Sequence, residues 1–339
     1  MINATSTPKS VKIGLTHGDF NGISYEIIMK AFSDARLLQM MTPVFYGQPK
    51  VFSYYKKSLG VEDINYTLIR DSRQAAHQKF NLINITEDEL KIEPGVASAQ
   101  AGKMAVLSLK RAADDLLKGS IDALVTAPVN PSMLKSEAFA FNGQSDYLSS
   151  LFKGQDYVEM LVSDYLRIGM VTSDIPVKEA LASVTKEMVM HKLVILANAL
   201  KKNFNIASPK IAVLALNPHA GDSGLSGTEE QDIITPVVSV ARKNNLLAFG
   251  PFASDRFFAT GGWKKYDAVL AMYHDQAALP FKLISANGGA LFTAGLPVVR
   301  TSPFHGPAYD IANKNEASPD AMRQAMYLAL DLVNHQRLI

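Results

Sequence analysis

The feature that most constrains this chain is a rhythm. Short apolar or β-branched runs alternate with longer stretches whose apolar residues recur at helical spacing. Residues 11–15 form a first buried run, followed by a glycine-containing loop and a helix that opens near Ser24. Residues 43–46 predict a second strand, 51–59 a helix and 81–85 a further, weaker strand. The helical spacing over 97–118 stops at Gly119, a residue suited to ending a helix because it tolerates positive φ. Residues 123–126 then read as a buried strand. Further on, Val158–Val162 and 167–171 read as consecutive strands, 185–202 as a long helix and 210–216 as a buried strand. Thr228-Glu229-Glu230-Gln231 fits a capping box that opens a helix running to about Asn244. Ala268–Ala271 and Ala290–Ala294 complete the strands, and Ser318-Pro319 starts a last helix. Strands separated by helices pair in parallel when the crossovers cover both faces of the sheet. The pattern therefore predicts an α/β fold, with a parallel sheet sandwiched between helices.

A length of 339 residues predicts two lobes rather than one core. The loop-like Ala127-Pro128-Val129-Asn130-Pro131 places a boundary near residue 131. The expected first lobe is 1–131 with about 300–339 returning to it, and the second is about 132–299. Apolar residues make up 47% of the chain and charged residues 19%, a globular balance. The net charge of +2 predicts no broad surface for tracking phosphates, so nucleic acid is not an expected partner. The absence of cysteine excludes disulfides, thiolate metal sites and a cysteine nucleophile. Any metal must be held by histidine, carboxylate, amide or water. The opening Met1-Ile2-Asn3-Ala4-Thr5-Ser6-Thr7-Pro8 lacks the apolar core of a signal peptide, and no apolar run approaches the roughly 20 residues of a membrane helix. A cytoplasmic protein with no membrane partner is the expectation.

In sheets of this kind ligands bind beyond the carboxyl ends of the strands. Polar residues cluster there: Asp19 after the first strand, Asn130 after 123–126, Asp174 after 167–171, His219 after 210–216, and His274 after Ala268–Ala271. In Leu216-Asn217-Pro218-His219-Ala220-Gly221 the proline and glycine predict a sharp turn that presents the imidazole at the sheet's rim. The plainer alternative is a turn histidine bonded to backbone. Tyr273-His274-Asp275-Gln276 sets an imidazole beside a carboxylate, although adjacent residues in an extended segment need not touch. With Asp174 the two histidines make a two-imidazole, one-carboxylate set, a combination that suits divalent metals. Lys282 and Arg300 are candidates for holding an anion, the arginine through its planar fork. Ser145, in Gly143-Gln144-Ser145-Asp146, can donate to a phosphate near a helix start or simply cap that helix. Gly221, Gly224 and Gly227 do not fit the Gly-x-Gly-x-x-Gly turn of a dinucleotide site, and no other segment supplies it.

Taken together these motifs resemble the 4-hydroxythreonine-4-phosphate dehydrogenase (PdxA-like) family of vitamin B6 synthesis. The resemblance runs along nearly the whole chain. It rests on Thr16-His17-Gly18-Asp19-Phe20-Asn21-Gly22-Ile23, Thr126-Ala127-Pro128-Val129-Asn130 and Gly143-Gln144-Ser145-Asp146-Tyr147-Leu148. It continues through the His219 and His274 motifs and Gly295-Leu296-Pro297-Val298-Val299-Arg300-Thr301-Ser302 to His305-Gly306. It implies a two-lobed α/β/α sandwich like the isocitrate and isopropylmalate dehydrogenases. It also implies a homodimer whose active site lies at the interface, with NAD or NADP on the side of the first lobe and without the Rossmann fingerprint. A divalent metal (zinc, magnesium, cobalt or manganese) is implied on His219, His274 and, where the family has a third histidine, Asp174. The family's substrate contacts fall on Gln144, Ser145, Lys282, Leu291 and Arg300, and Asp255 and Lys282 take the catalytic positions.

The chain departs from the family at several of these positions. Gln144-Ser145 stands for a His-Thr pair, Asp174 for histidine, Leu291 for asparagine and Pro131 for lysine, while Pro307 replaces a small polar residue. The implied reaction is oxidation and decarboxylation of 4-phosphohydroxy-L-threonine on the route to pyridoxal phosphate. Two alternatives stay open: a dehydrogenase of a related phosphorylated hydroxy acid such as phosphothreonate, and a catalytically silent metabolite-binding paralogue.

Overall fold

The computed structural model describes residues 10–61, 63–135, 139–286 and 288–337. The Met1–Pro8 segment lies outside the described residues. The chain divides into two units, Met1–Gln144 with Val298–Val333, and Ser145–Pro297 with Asn334–Ile339.

The first unit is built on β1 (Val11–Thr16), β2 (Met41–Gly47), β3 (Tyr66–Ile69), β4 (Phe80–Asn84), β5 (Ala123–Val125) and β12 (Val299–Pro303). Their order is β3-β4-β2-β1-β5-β12, and each neighbouring pair is parallel. All seven residues of β2 are buried, as expected of a strand covered on both faces. The helix Ala99–Leu117 starts where the Ser98 hydroxyl accepts from the Ala101 amide at 3.2 Å. It buries Met104, Leu109, Ala112 and Leu116. The pairs Tyr25–Phe45, Phe32–Phe80, Phe45–Phe52 and Phe45–Phe80 pack edge-to-face or tilted at 4.9–6.2 Å between centroids, and Tyr25 stacks on Tyr55. Phe45 is fully buried, and truncating it to alanine costs about 3–5 kcal/mol on general grounds.

The second unit holds β6 (Val158–Val162), β7 (Arg167–Met170), β8 (Ile211–Leu214), β9 (Ala248–Phe252), β10 (Ala268–Ala271) and β11 (Ala290–Ala294). They run in the order β11-β6-β7-β10-β8-β9. β7, β10, β8 and β9 are mutually parallel, whereas β6 is antiparallel to both β11 and β7. The purely parallel expectation fails here for a local reason. Segment 163–166 closes on itself, with the Ser163 amide donating to Leu166 O at 3.0 Å, and so short a link cannot make a crossover.

Three strands were not legible. β3 exposes its two central residues, β9 contains Gly250-Pro251, and β12 carries the polar run Arg300-Thr301-Ser302. The capping box expected at Thr228 is also absent. A π-helical turn, Glu230–Ile234, leads instead into the helix Thr235–Lys243, and neither has a side-chain cap. Among the described residues, no helix is long and apolar enough to cross a membrane.

Candidate active site

β8 ends at Leu214, and the chain then enters a turn with rare geometry. His219, Ala220, Gly221, Asp222 and Ser223 all have positive φ, between 43° and 80°. L-residues in this left-handed region cost about 1–2 kcal/mol each, so such a run persists only when its surroundings impose it. The imposing group is Glu230. It is 2% exposed, and its Oε1 accepts from the Leu216 and Asn217 amides at 2.8 and 2.7 Å. Its Oε2 accepts from Asn217 Nδ2 at 3.0 Å. Burial alone would raise this carboxyl, but the bonds from Asn217 and Leu216 outweigh burial and hold it below the usual carboxylate range. Gly221 is required within the turn: a Cβ there would stand 2.6 Å from Glu230 Oε2. His219 itself is exposed.

Asp174 follows β7 and is likewise exposed and left-handed, with φ 53°. His274 follows β10 and opens the helix His274–Ile284; its side chain is 37% exposed. Its Nδ1 lies 3.5 Å from Asp275 Oδ1, so the neighbouring pair does meet, at a helix N-terminus that favours the carboxylate. Asp174 and His274 line one cavity of about 190 Å³, with Thr172, Ser173, Tyr273 and Asp275. His219 is not part of that lining, and among the described residues no three histidine or carboxylate side chains stand close enough to hold a metal ion. One chain thus offers an imidazole and a carboxylate on a shared wall, a donor pair that suits a divalent ion. The third expected donor is presented on a separate turn.

The remaining candidates are spread over both units. In the second, Ser145 is buried and donates to Glu159 Oε1 at 2.7 Å, with Thr293 Oγ1 at 3.2 Å. Leu291 is buried in β11 opposite Leu161 of β6. Lys282 is exposed on the His274 helix, and Asp255 is exposed in the helix Ser254–Ala259. In the first unit, Gln144 Nε2 lies 3.5 Å from Ala127 O. Arg300 is buried within β12, where Nε and Nη2 both donate to Thr126 Oγ1 at 3.1 and 2.6 Å. Arg300 and Lys282 therefore sit inside regular elements rather than on strand-end loops. Pro131 begins the short helix Pro131–Leu134, and Pro307 O accepts from the Ile23 amide at 2.9 Å.

Sequence reasoning missed the role of Glu230, whose signal was the Glu229-Glu230 pair after a glycine-rich loop. Asp19, expected at the end of the first strand, is buried and accepts from Tyr309 OH at 2.6 Å; burial pushes its carboxyl up, against the bonds from Tyr309 and Asn21.

Comparison with known proteins adds an independent line. The family model described as pyridoxal phosphate biosynthetic protein PdxA matches residues 39–329. A 4-hydroxythreonine-4-phosphate dehydrogenase of Bacteroides thetaiotaomicron is 44% identical over 96% of this chain and 90% of its own. A D-threonate 4-phosphate dehydrogenase of Pectobacterium atrosepticum is 32% identical over 94% of each. The solved 4-hydroxythreonine-4-phosphate dehydrogenase of Klebsiella pneumoniae superposes with a TM-score of 0.83 at 31% identity, over 97% of this chain and 99% of that one. Isocitrate dehydrogenase of Methylococcus capsulatus shares the fold alone, with a TM-score of 0.52 at 13% identity over 96% of this chain and 87% of that one.

Proposed function

The chain belongs to the family of the pyridoxal phosphate biosynthetic protein PdxA and is a dehydrogenase, and from that membership we propose that it oxidises 4-phosphohydroxy-L-threonine with a nicotinamide cofactor and a divalent metal. The observation that carries the metal part of the reading is the shared wall of Asp174 and His274, together with the strained turn that presents His219. Strain held in place by buried hydrogen bonds is expected where a side chain must be aimed.

A metal held there would supply Lewis acidity toward the substrate oxygen, and a nicotinamide would supply the hydride acceptor. Asp174, His219 and His274 are the proposed ligands. The oxygen of Asp174 suits magnesium or manganese better than a third imidazole would. Asp255 and Lys282 are assigned to proton transfer at the substrate hydroxyl. Arg300, oriented by Thr126, and Lys282 are assigned to the anionic groups of the substrate, with Gln144, Ser145 and Leu291 as further contacts. Ser145 donates to Glu159, so serving a phosphate requires its proton to be redirected.

A homodimer completes the reading. Each proposed ligand is followed by exposed apolar side chains: Val177 and Leu181 after Asp174, Leu225 after His219, and Leu279 and Leu283 after His274. Leu225 and Leu283 are 86% and 82% exposed, and such clusters favour cover by a partner surface. A second copy would bring its own His219 to this wall.

A second substrate is favoured by one observation. Leu291 presents hydrocarbon where the family has an amide, a change that alters substrate contacts and leaves the proposed metal ligands alone. D-Threonate 4-phosphate is then the competing substrate. Purified protein given NAD, a divalent metal and each acid in turn separates the two: NADH formed faster with 4-phosphohydroxy-L-threonine supports the first reading, and NADH formed only with D-threonate 4-phosphate replaces it.

A further inference from the structure

One buried side chain joins the segments that carry two of the three proposed ligands, and meets the third through a shared neighbour, Met272. Gln276 is 8% exposed, in the first turn of the His274 helix. Its Oε1 accepts from the Met272 amide at 2.7 Å. Its Nε2 donates to Ala215 O at 2.6 Å and to Ser254 Oγ at 2.8 Å. Met272 links β10 to His274, Ala215 links β8 to the left-handed turn of His219, and Ser254 precedes Asp255. The network goes one step further. Met272 O accepts from Thr172 Oγ1 at 2.9 Å and from the Thr172 amide at 3.3 Å, two residues before Asp174. Strand ends β7, β10 and β8 are thus tied in series through Thr172, Met272, Gln276 and Ala215.

The chemistry at this position is restrictive. One acceptor must face an N–H while two donors face a carbonyl and a hydroxyl. A primary amide on a two-carbon stem meets that demand. The flipped amide would set N–H against N–H at Met272 and oxygen against oxygen at Ala215, so the surroundings fix its orientation. A carboxylate would lose both donors, and leucine would orphan the Met272 amide and the Ala215 carbonyl.

We propose that Gln276 is a positioning residue that fixes the strand ends bearing Asp174, His219 and His274 in the register needed to bind a divalent metal. The inference rests on the proposed function, in which those three residues are the ligands. Groups that orient metal ligands through hydrogen bonds typically contribute 10–100-fold in affinity.

The test uses the full chain loaded with cobalt(II), whose visible absorption reports ligand geometry. Binding is followed by calorimetry and the spectrum recorded beside the thermal transition, for the parent, Q276E, Q276L, Q276N, H219A and H274A. The expected result is weaker cobalt binding in Q276E and Q276L, by about tenfold or more, with an altered visible band and a cooperative transition retained. Q276N keeps the amide on a shorter stem, so it remains readable if the other variants fail to fold; an intermediate loss of affinity is expected there. Parent-like affinity and spectrum in folded Q276 variants, with binding lost in H219A and H274A, would overturn the positioning role alone. A parent that binds no cobalt, or H219A and H274A variants that bind like the parent, would overturn the ligand reading and the inference with it.

Discussion

His17 and His219 stand in equivalent places, each just beyond the carboxyl end of a parallel strand, one in each unit, and their environments are opposite. His17 is 1% exposed; its Nε2 lies 3.1 Å from Met104 O, and burial pushes its pKa down to about 4. Its ring packs against Phe20 and Tyr25. His219 is exposed on a left-handed turn. The contrast extends to the neighbours. In the first unit Asp19 is closed off by Tyr309, and Asp115 accepts from Tyr46 OH at 2.9 Å. In the second, Asp174 is exposed, and buried Glu230 spends one oxygen on two backbone amides and the other on the Asn217 side chain. Position at a strand end therefore does not make a histidine functional. What separates the two is whether the backbone is strained to expose the ring or the core is arranged to enclose it.

The contrast can be broken most decisively at the exposed rings. Replacing His219 or His274 with alanine should abolish metal binding and lower dehydrogenase activity by more than about a hundredfold, as measured by NADH formation, while leaving the melting temperature nearly unchanged. His219→Gly is sharper still: relief of the left-handed strain should stabilise the fold by about 1 kcal/mol in denaturant unfolding even as activity is lost. Glu230→Ala leaves the Leu216 and Asn217 amides without their acceptor, and should cost roughly 2–5 kcal/mol in the same measurement.

In the first unit the expected signature is acid sensitivity. His17 stays neutral in the folded chain down to about pH 4, while the unfolded chain takes up the proton below its ordinary value of 6.5. Its contribution to stability is complete above pH 6.5 and is lost as pH falls toward 4, by roughly 3 kcal/mol in all. His17→Gln should flatten that limb of the stability–pH curve, and an unchanged limb would remove His17 from the account. Tyr309→Phe should cost about 1–3 kcal/mol in denaturant unfolding, through the bond lost to Asp19.

The α/β class was legible because short buried apolar runs such as Ala268–Ala271 alternate with helices. The strand-end positions of Asp174, His219 and His274 were legible for the same reason. The edge strand β3 was not, because exposed Thr67 and Leu68 carry no buried pattern. β12 was not, because Arg300 and Thr301 are buried through hydrogen bonds rather than apolarity. Glu230 read as part of a helix cap because local pattern cannot show a carboxylate reaching back to Leu216. The role of Gln276 was not legible, since its partners Ala215 and Ser254 are distant in sequence.

The most direct test of the central claim is NADH formation by purified, metal-loaded protein given NAD and 4-phosphohydroxy-L-threonine, with the His219→Ala and His274→Ala variants alongside. The account predicts turnover in the parent that requires the metal and disappears in both variants. A folded, metal-treated parent that forms no NADH with this acid or with D-threonate 4-phosphate would contradict it and leave a metabolite-binding relative of the dehydrogenases.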